Sequence, residues 1–128
     1  FEDAAEKMGV DVMRWMYCGQ NPTNNMNFGY NLGDHVRRRN FSTWWNVYSF
    51  FCNYARLDGF DPKREAVPYD QLQDIDRWLL SKLQGLVKAG HEALSEFKGE
   101  TLFQAADDFI ERLRNWDVRR NRRRLDAA

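Results

Sequence analysis

Three observations predict an all-α fold, an antiparallel helical bundle. Apolar residues recur at three- and four-residue spacing along several stretches, and no stretch alternates with the period of two of a half-buried strand. The three prolines, Pro22, Pro62 and Pro68, fall between those stretches and not inside them. Hydrophobic residues make up 43% of the 128-residue chain and aromatic residues 15%, enough to close a core and to exclude disorder. One compact domain is expected, too small to hold a large catalytic domain.

Phe1, Ala5 and Met8, then Val12, Trp15 and Met16, stand at helical spacing. Gly9 interrupts them and Asp11 can cap the second piece, so a broken helix is expected. Residues 19–29 turn to Asn, Gln, Pro, Thr and Gly and lose periodicity, as a loop does. Residues 32–57 then predict a long helix whose wide apolar face carries Phe41, Trp44, Tyr48, Phe51 and Ala55. Gly59, Asp61 and Pro62 end it.

Asp70 with Gln73 reads as a capping box for a helix striped by Leu72, Ile75, Leu79, Leu83, Leu86, Gly90, Leu94 and Phe97, stopped by Gly99. Thr101 with Gln104 reads as a second box, opening a helix with Leu102, Ala106, Phe109, Leu113 and Trp116 on one stripe and Asp107, Asp108 and Glu111 on its wet side. Three substantial helices can bury one another, and the breadth of the first aromatic face predicts further neighbours.

The zero net charge hides a segregation: Arg112 to Arg124 holds seven arginines and one acid, Asp117, for +6, leaving −6 elsewhere. Such a block is a solvated end or a footprint for a polyanion. Arg119, Arg120, Arg122, Arg123 and Arg124 follow Trp116 near a helix end, where cations are favoured; Arg37, Arg38 and Arg39 lie near a helix start, where they need a compensating partner. Arginine suits bidentate phosphate contacts and stacking. Trp44, Tyr48 and Phe51 are expected in the core, whereas Trp45 and Phe50 lie off the stripe and suit either packing or stacking on a base.

Enzymatic chemistry has no visible home. His35 and His91 lack partners at metal or triad spacing, and the eight glycines form neither GxxxxGK[ST] nor GxGxxG. Asp107, Asp108 and Glu111 read as a solvated face, not a metal cluster. No catalytic and no metal-ligating residue is assigned. Cys18 and Cys52 read as reduced thiols of an intracellular protein, and with no apolar run near the ~20 residues of a membrane span and no leader at Phe1, a cytoplasmic location is expected.

Four motifs, in order, carry a resemblance. Gly9-Val10-Asp11-Val12-Met13-Arg14-Trp15 resembles the "GADALRW" segment of isoleucyl-tRNA synthetases, class I aminoacyl-tRNA synthetases, which follows the KMSKS loop and leads out of the catalytic domain. The run from Trp45 to Phe51, with Tyr54-Ala55 and Asp58 to Pro62, resembles the start of their anticodon-binding bundle. Asp76 to Ser81 resembles "DRWILS", and Asn115 to Arg124 resembles "NWYVRRNRRR", the most specific of the four. Valyl and leucyl enzymes share the architecture but fit the last motif less well. Asp117 stands where a Tyr is common, and Leu125-Asp126-Ala127-Ala128 occupies positions where aromatics are usual, which implies a bundle truncated at the carboxy end.

The resemblance implies a connector over residues 1–29 and a partial anticodon-binding bundle over 30–128. It implies as partners the anticodon stem-loop of tRNA(Ile) and the catalytic domain of the parent chain, with self-association possible through the incomplete face. Both the HIGH motif and the KMSKS loop are absent, Lys7-Met8 being followed by Gly9-Val10. ATP and Mg are therefore expected only in the parent's catalytic domain, and no cofactor in this segment. The RNA-binding residues implied are Arg119, Arg120, Arg122, Arg123 and Arg124, with Arg37, Arg38, Arg39 and Trp45 as a second patch. The rival reading is a helical protein-interaction module whose arginines pair with Asp107, Asp108 and Glu111.

Overall fold

The computed structural model describes residues 1–63 and 67–126, and of these not the side chains of Asp117, Arg123, Leu125 and Asp126. All regular structure among the described residues is helical: α1 (Glu2–Met8), α2 (Val10–Cys18), α3 (Tyr30–Val36), α4 (Ser42–Leu57), α5 (Asp74–Ser95), α6 (Gly99–Arg112) and α7 (Arg119–Asp126). A π-helical turn, Arg37–Phe41, joins α3 to α4, and a second, Leu113–Val118, joins α6 to α7. The bundle is thus built on two long, continuous rods and α5. No described helix is long and apolar enough to cross a membrane.

The break at Gly9 is real and has a backbone cause. Its φ of 89° lies where a Cβ is strained, so α1 and α2 can turn against each other there. That turn brings Met8, Val12, Met13 and Met16 into one buried cluster, closed by Ala5, Leu32, Val36 and Phe41. Met8 packs so tightly on α3 that a Cβ at Gly33 would stand 3.0 Å from its methyl carbon. Trp15 extends this core sideways, meeting Phe41 edge-on at 5.6 Å and Phe103 of α6 at 4.7 Å. One residue of α2 thereby ties both rods together.

A second core joins α5 to α6, where a Cβ at the buried Gly90 would stand 3.2 Å from Leu102; Ala93, Phe109 and Ile110 are buried as well. Its details differ from the sequence reading. The capping box belongs to Gln73 and Asp76, not to Asp70 and Gln73, because Tyr69–Gln71 is spent on a 3-10 turn. Helix α5 ends at Ser95, where Phe97 enters the left-handed region at φ 57°, so Gly99 begins α6 and does not stop α5. Thr101 consequently falls inside α6, whose N-cap, Lys98, makes no side-chain capping bond. Gly99 serves close approach: a Cβ there would lie 3.2 Å from the carbonyl oxygen of Cys18.

The aromatic face of α4 also departs from expectation. Trp44, Tyr48 and Phe51 are exposed, not core, and Trp45 is exposed beside them; the four form an apolar groove with Phe41 and Val47. Leu83, Leu94 and Phe97 of the predicted α5 stripe are exposed as well. The reason is the same in each case: the described helices cover one side of α4 and one side of α5, leaving the remaining apolar faces uncovered.

Candidate nucleic-acid interface

The arginines predicted as two patches are dispersed by the fold into distinct settings. On the first π turn the three consecutive side chains leave in three directions. Arg37 donates from Nη2 to the carbonyl oxygens of Lys7 and Met8, at 3.2 and 2.6 Å, and from Nη1 to Asp34 at 3.1 Å. Those carbonyls are among the last four of α1, which the helix cannot satisfy itself and which carry its partial negative charge. Here is the compensating partner that a cation on this rod required.

Arg39 turns toward α6 and acts electrostatically on Asp107. Asp107 is not on the wet side of α6, as its neighbours Asp108 and Glu111 are. It shares helical spacing with Phe103, Ile110 and Arg114 and points inward, so its Oδ1 is buried without a hydrogen-bond partner among the described residues. Burial, with Asp108 adding to it, pushes its carboxyl above the ordinary range, against the opposing pull of Arg39, Trp15 and Asn40. Asn40 and Thr43 are buried alongside, in the seam between the first π turn and α6.

Arg38 faces a different space, an open cleft of about 570 Å³ between the two rods. One wall is Arg38, Asn46, Val47 and Phe50; the other is Arg114 on the second π turn with Arg119 and Arg122 on α7. Among the described residues no carboxylate pairs with Arg38, Arg114 or Arg119. These three cations, with Arg122 beside them, line a cleft with an apolar floor, an arrangement that attracts an anion. Arg114 was missed by sequence reasoning, which grouped arginines by adjacency; its signal was its place one helical turn after Ile110 and two after Asp107.

The rest of the arginine run divides between packing and surface. Arg120 lies over the ring of Trp116, 4.5 Å from its centre, and leaves that plane at the surface. Arg124 makes a two-pronged bond to Asp76, at 3.0 and 3.2 Å, and so ties α7 to the start of α5, where Asp76 also accepts from the backbone N–H of Gln73. The side chain of Arg123 lies outside the described residues. Trp45 is 67% exposed, its ring 6.0 Å from that of Tyr48 and away from the arginine cleft. No group of three or more His, Cys, Asp or Glu among the described residues is placed to hold a metal ion.

The chain is similar to known proteins along almost its whole length. Over 128 residues the chain is 39% identical to the isoleucine-tRNA ligase of Porphyromonas gingivalis, covering 98% of this chain. It is 42% identical over 125 residues to that of Thermus thermophilus and 40% over 122 residues to that of Bacteroides thetaiotaomicron, covering 96% and 94% of this chain. The chain belongs to the isoleucine-tRNA ligase family. It spans only 10–12% of the length of these relatives. No family model matches it. Within this segment of an isoleucine-tRNA ligase, the four motifs acquire places: the first is α2 with the bridging Trp15, the second is α4 and the turn after it, the third is the Asp76 end of α5, and the fourth is the second π turn with α7.

Proposed function

We propose that this segment binds the anticodon stem-loop of tRNA(Ile), within a longer ligase whose catalytic domain attaches isoleucine to that tRNA using ATP and Mg. The segment supplies grip and supplies no catalytic residue; its partners are the tRNA and the catalytic domain of the same chain, in the cytoplasm. The observation that carries this reading is the convergence of Arg38, Arg114, Arg119 and Arg122 on one cleft. Phosphate neutralisation gives affinity that falls steeply with salt, and a cleft with amide and aromatic walls offers more than charge. Arg120, held on Trp116, adds a further phosphate or stacking contact. Trp45 and Arg123 remain part of the proposed surface, Trp45 as a stacking platform beyond the cleft.

The test is binding of tRNA(Ile) transcript, with its own or an altered anticodon, over a salt series. Replacing Arg119 and Arg122 together by Ala is expected to make the slope of log K against log salt shallower by about 1.4–1.8, two phosphate contacts' worth. An unchanged slope would take both arginines out of the interface. A second reading rests on the exposed Trp44, Trp45, Tyr48 and Phe51: the face is an interface with protein, including a second copy. Association that rises with protein concentration, in a chain that ignores tRNA, would favour it.

A further inference from the structure

We infer that Phe97, with Leu94 behind it, is an anchor at the turn between α5 and α6 that docks on the catalytic domain of the longer ligase. The inference rests on the reading of this chain as one segment of that ligase, and gives its joint with the catalytic domain a place. Phe97 is 95% exposed and Leu94 62%. The ring also stands on a backbone that resists it, at φ 57°. The turn closes as a Schellman motif: the Lys98 N–H donates to the Ala93 carbonyl oxygen at 2.8 Å and the Phe97 N–H to that of Leu94 at 3.3 Å. Phe97 thus fills the position that glycine ordinarily takes. A Cβ is strained there and a ring in water gains nothing, so within this chain Phe97 is unfavourable on two counts. Burial of the ring against another surface offsets both.

The surroundings of the turn identify that surface. Helix α5 has 22 residues, a length of about 33 Å, and its other end is the one that Arg124 ties to α7. Phe97 therefore stands a helix length from that tie, at the end of α5 that meets the connector. There a Cβ at Gly99 would lie 3.2 Å from the carbonyl oxygen of Cys18, the last residue of α2, and Asn21 donates to Glu100 at 3.4 Å. Helix α2 resembles the family's path out of the catalytic domain, and this chain spans only 10–12% of the length of its relatives. The turn is thus fastened to the stretch that leads to the rest of the ligase. RNA is the poorer occupant. Glu96 and Glu100 flank the ring, and Lys98 is engaged with Glu96 at 2.6 Å, so the turn offers no positive patch to a phosphate.

The test uses the full-length ligase with photoreactive p-benzoylphenylalanine at position 97, irradiated and mapped by mass spectrometry. The expected cross-link joins position 97 to the catalytic domain of the same chain. A cross-link to a second copy or to tRNA, or none at all, overturns the docking. Phe97→Gly gives a second measurement with opposite signs in the two contexts. In this 128-residue chain it relieves the strained turn, so the melting temperature should hold or rise by up to about 5 °C. In the full-length ligase it removes the anchor, so hydrogen exchange of the amides from Glu96 to Glu100 should quicken about 10-fold, the order expected for losing one partly buried ring. Exchange no faster than wild type in the full-length variant, or a large loss of stability in this chain alone, overturns the anchor. None of these outcomes touches the tRNA-binding reading, because Phe97→Gly should keep the wild-type salt slope. The expected cross-link beside an unchanged slope for the Arg119 and Arg122 replacements would remove those arginines from the RNA and leave the joint standing.

Discussion

Replacing Arg37 by Ala separates two roles that lie side by side in the run Arg37-Arg38-Arg39. The loss removes two charge-assisted bonds to the end of α1, one of them short at 2.6 Å and half-buried. Hydrogen bonds to charged groups contribute about 1.5–3 kcal/mol each when shielded. The Arg37 and Asp34 side chains are 41% and 51% exposed, so the ion pair adds little and water can replace part of the rest. A cost of about 1.5–3 kcal/mol in all is expected, or a fall in melting temperature of roughly 6–12 °C for a domain of this size. The assay is a urea or thermal melt beside a salt series of tRNA binding. Arg37→Ala should lose stability and keep the wild-type salt slope, and Arg38→Ala should do the reverse. A stable Arg37 variant with a flattened slope would refute the assignment and put Arg37 on the RNA.

Other contacts give two further expected outcomes. Asp107 binds its proton more tightly in the native state than in the unfolded chain, so its contribution to stability is fully present below the ordinary carboxyl value of 3.8 and is lost as pH rises through the higher native value. Asp107→Asn should therefore gain stability relative to wild type as pH rises across that window, in urea melts at a series of pH values; a variant weaker at neutral pH would mean that Arg39 depends on the negative charge. Asp76→Ala should cost more than Arg124→Ala, because Asp76 holds both Arg124 and the cap of α5. A double-mutant cycle should return a coupling of about 0.5–1 kcal/mol for this partly exposed pair, and zero coupling would deny the tie between α7 and α5.

The parts legible in the sequence were those set by local chemistry. Gly9 announced a break because only glycine sits easily at its φ, and the long rod through Trp44 and Tyr48 announced itself by spacing. The end of α5 was hidden because Phe97, a residue rarely left-handed, makes the turn that Gly99 was expected to make. Asp107 was hidden for a related reason: an acid beside Asp108 reads as a wet face, and only the placing of Arg39, Trp15 and Asn40 around it, from other helices, gives it company. The arginine runs were visible as charge. Their division into an α1 cap, a partner for Asp107, a cleft wall and a tie to α5 depends on contacts made far apart in the chain, which adjacency in sequence cannot express.

The two π turns have a consequence for phase. Each fits one residue more than the α-helical repeat into its rod, and one residue corresponds to about 100° of rotation about the axis. The direction in which α4 presents Trp45, or α7 presents Arg122, is therefore set by the residue count of the turn before it as much as by its own sequence. A one-residue deletion within Arg37–Phe41 that restored a uniform α-helix would swing the whole aromatic stripe and the Phe50 wall together by that angle, emptying the cleft of one side without altering a single residue that lines α4.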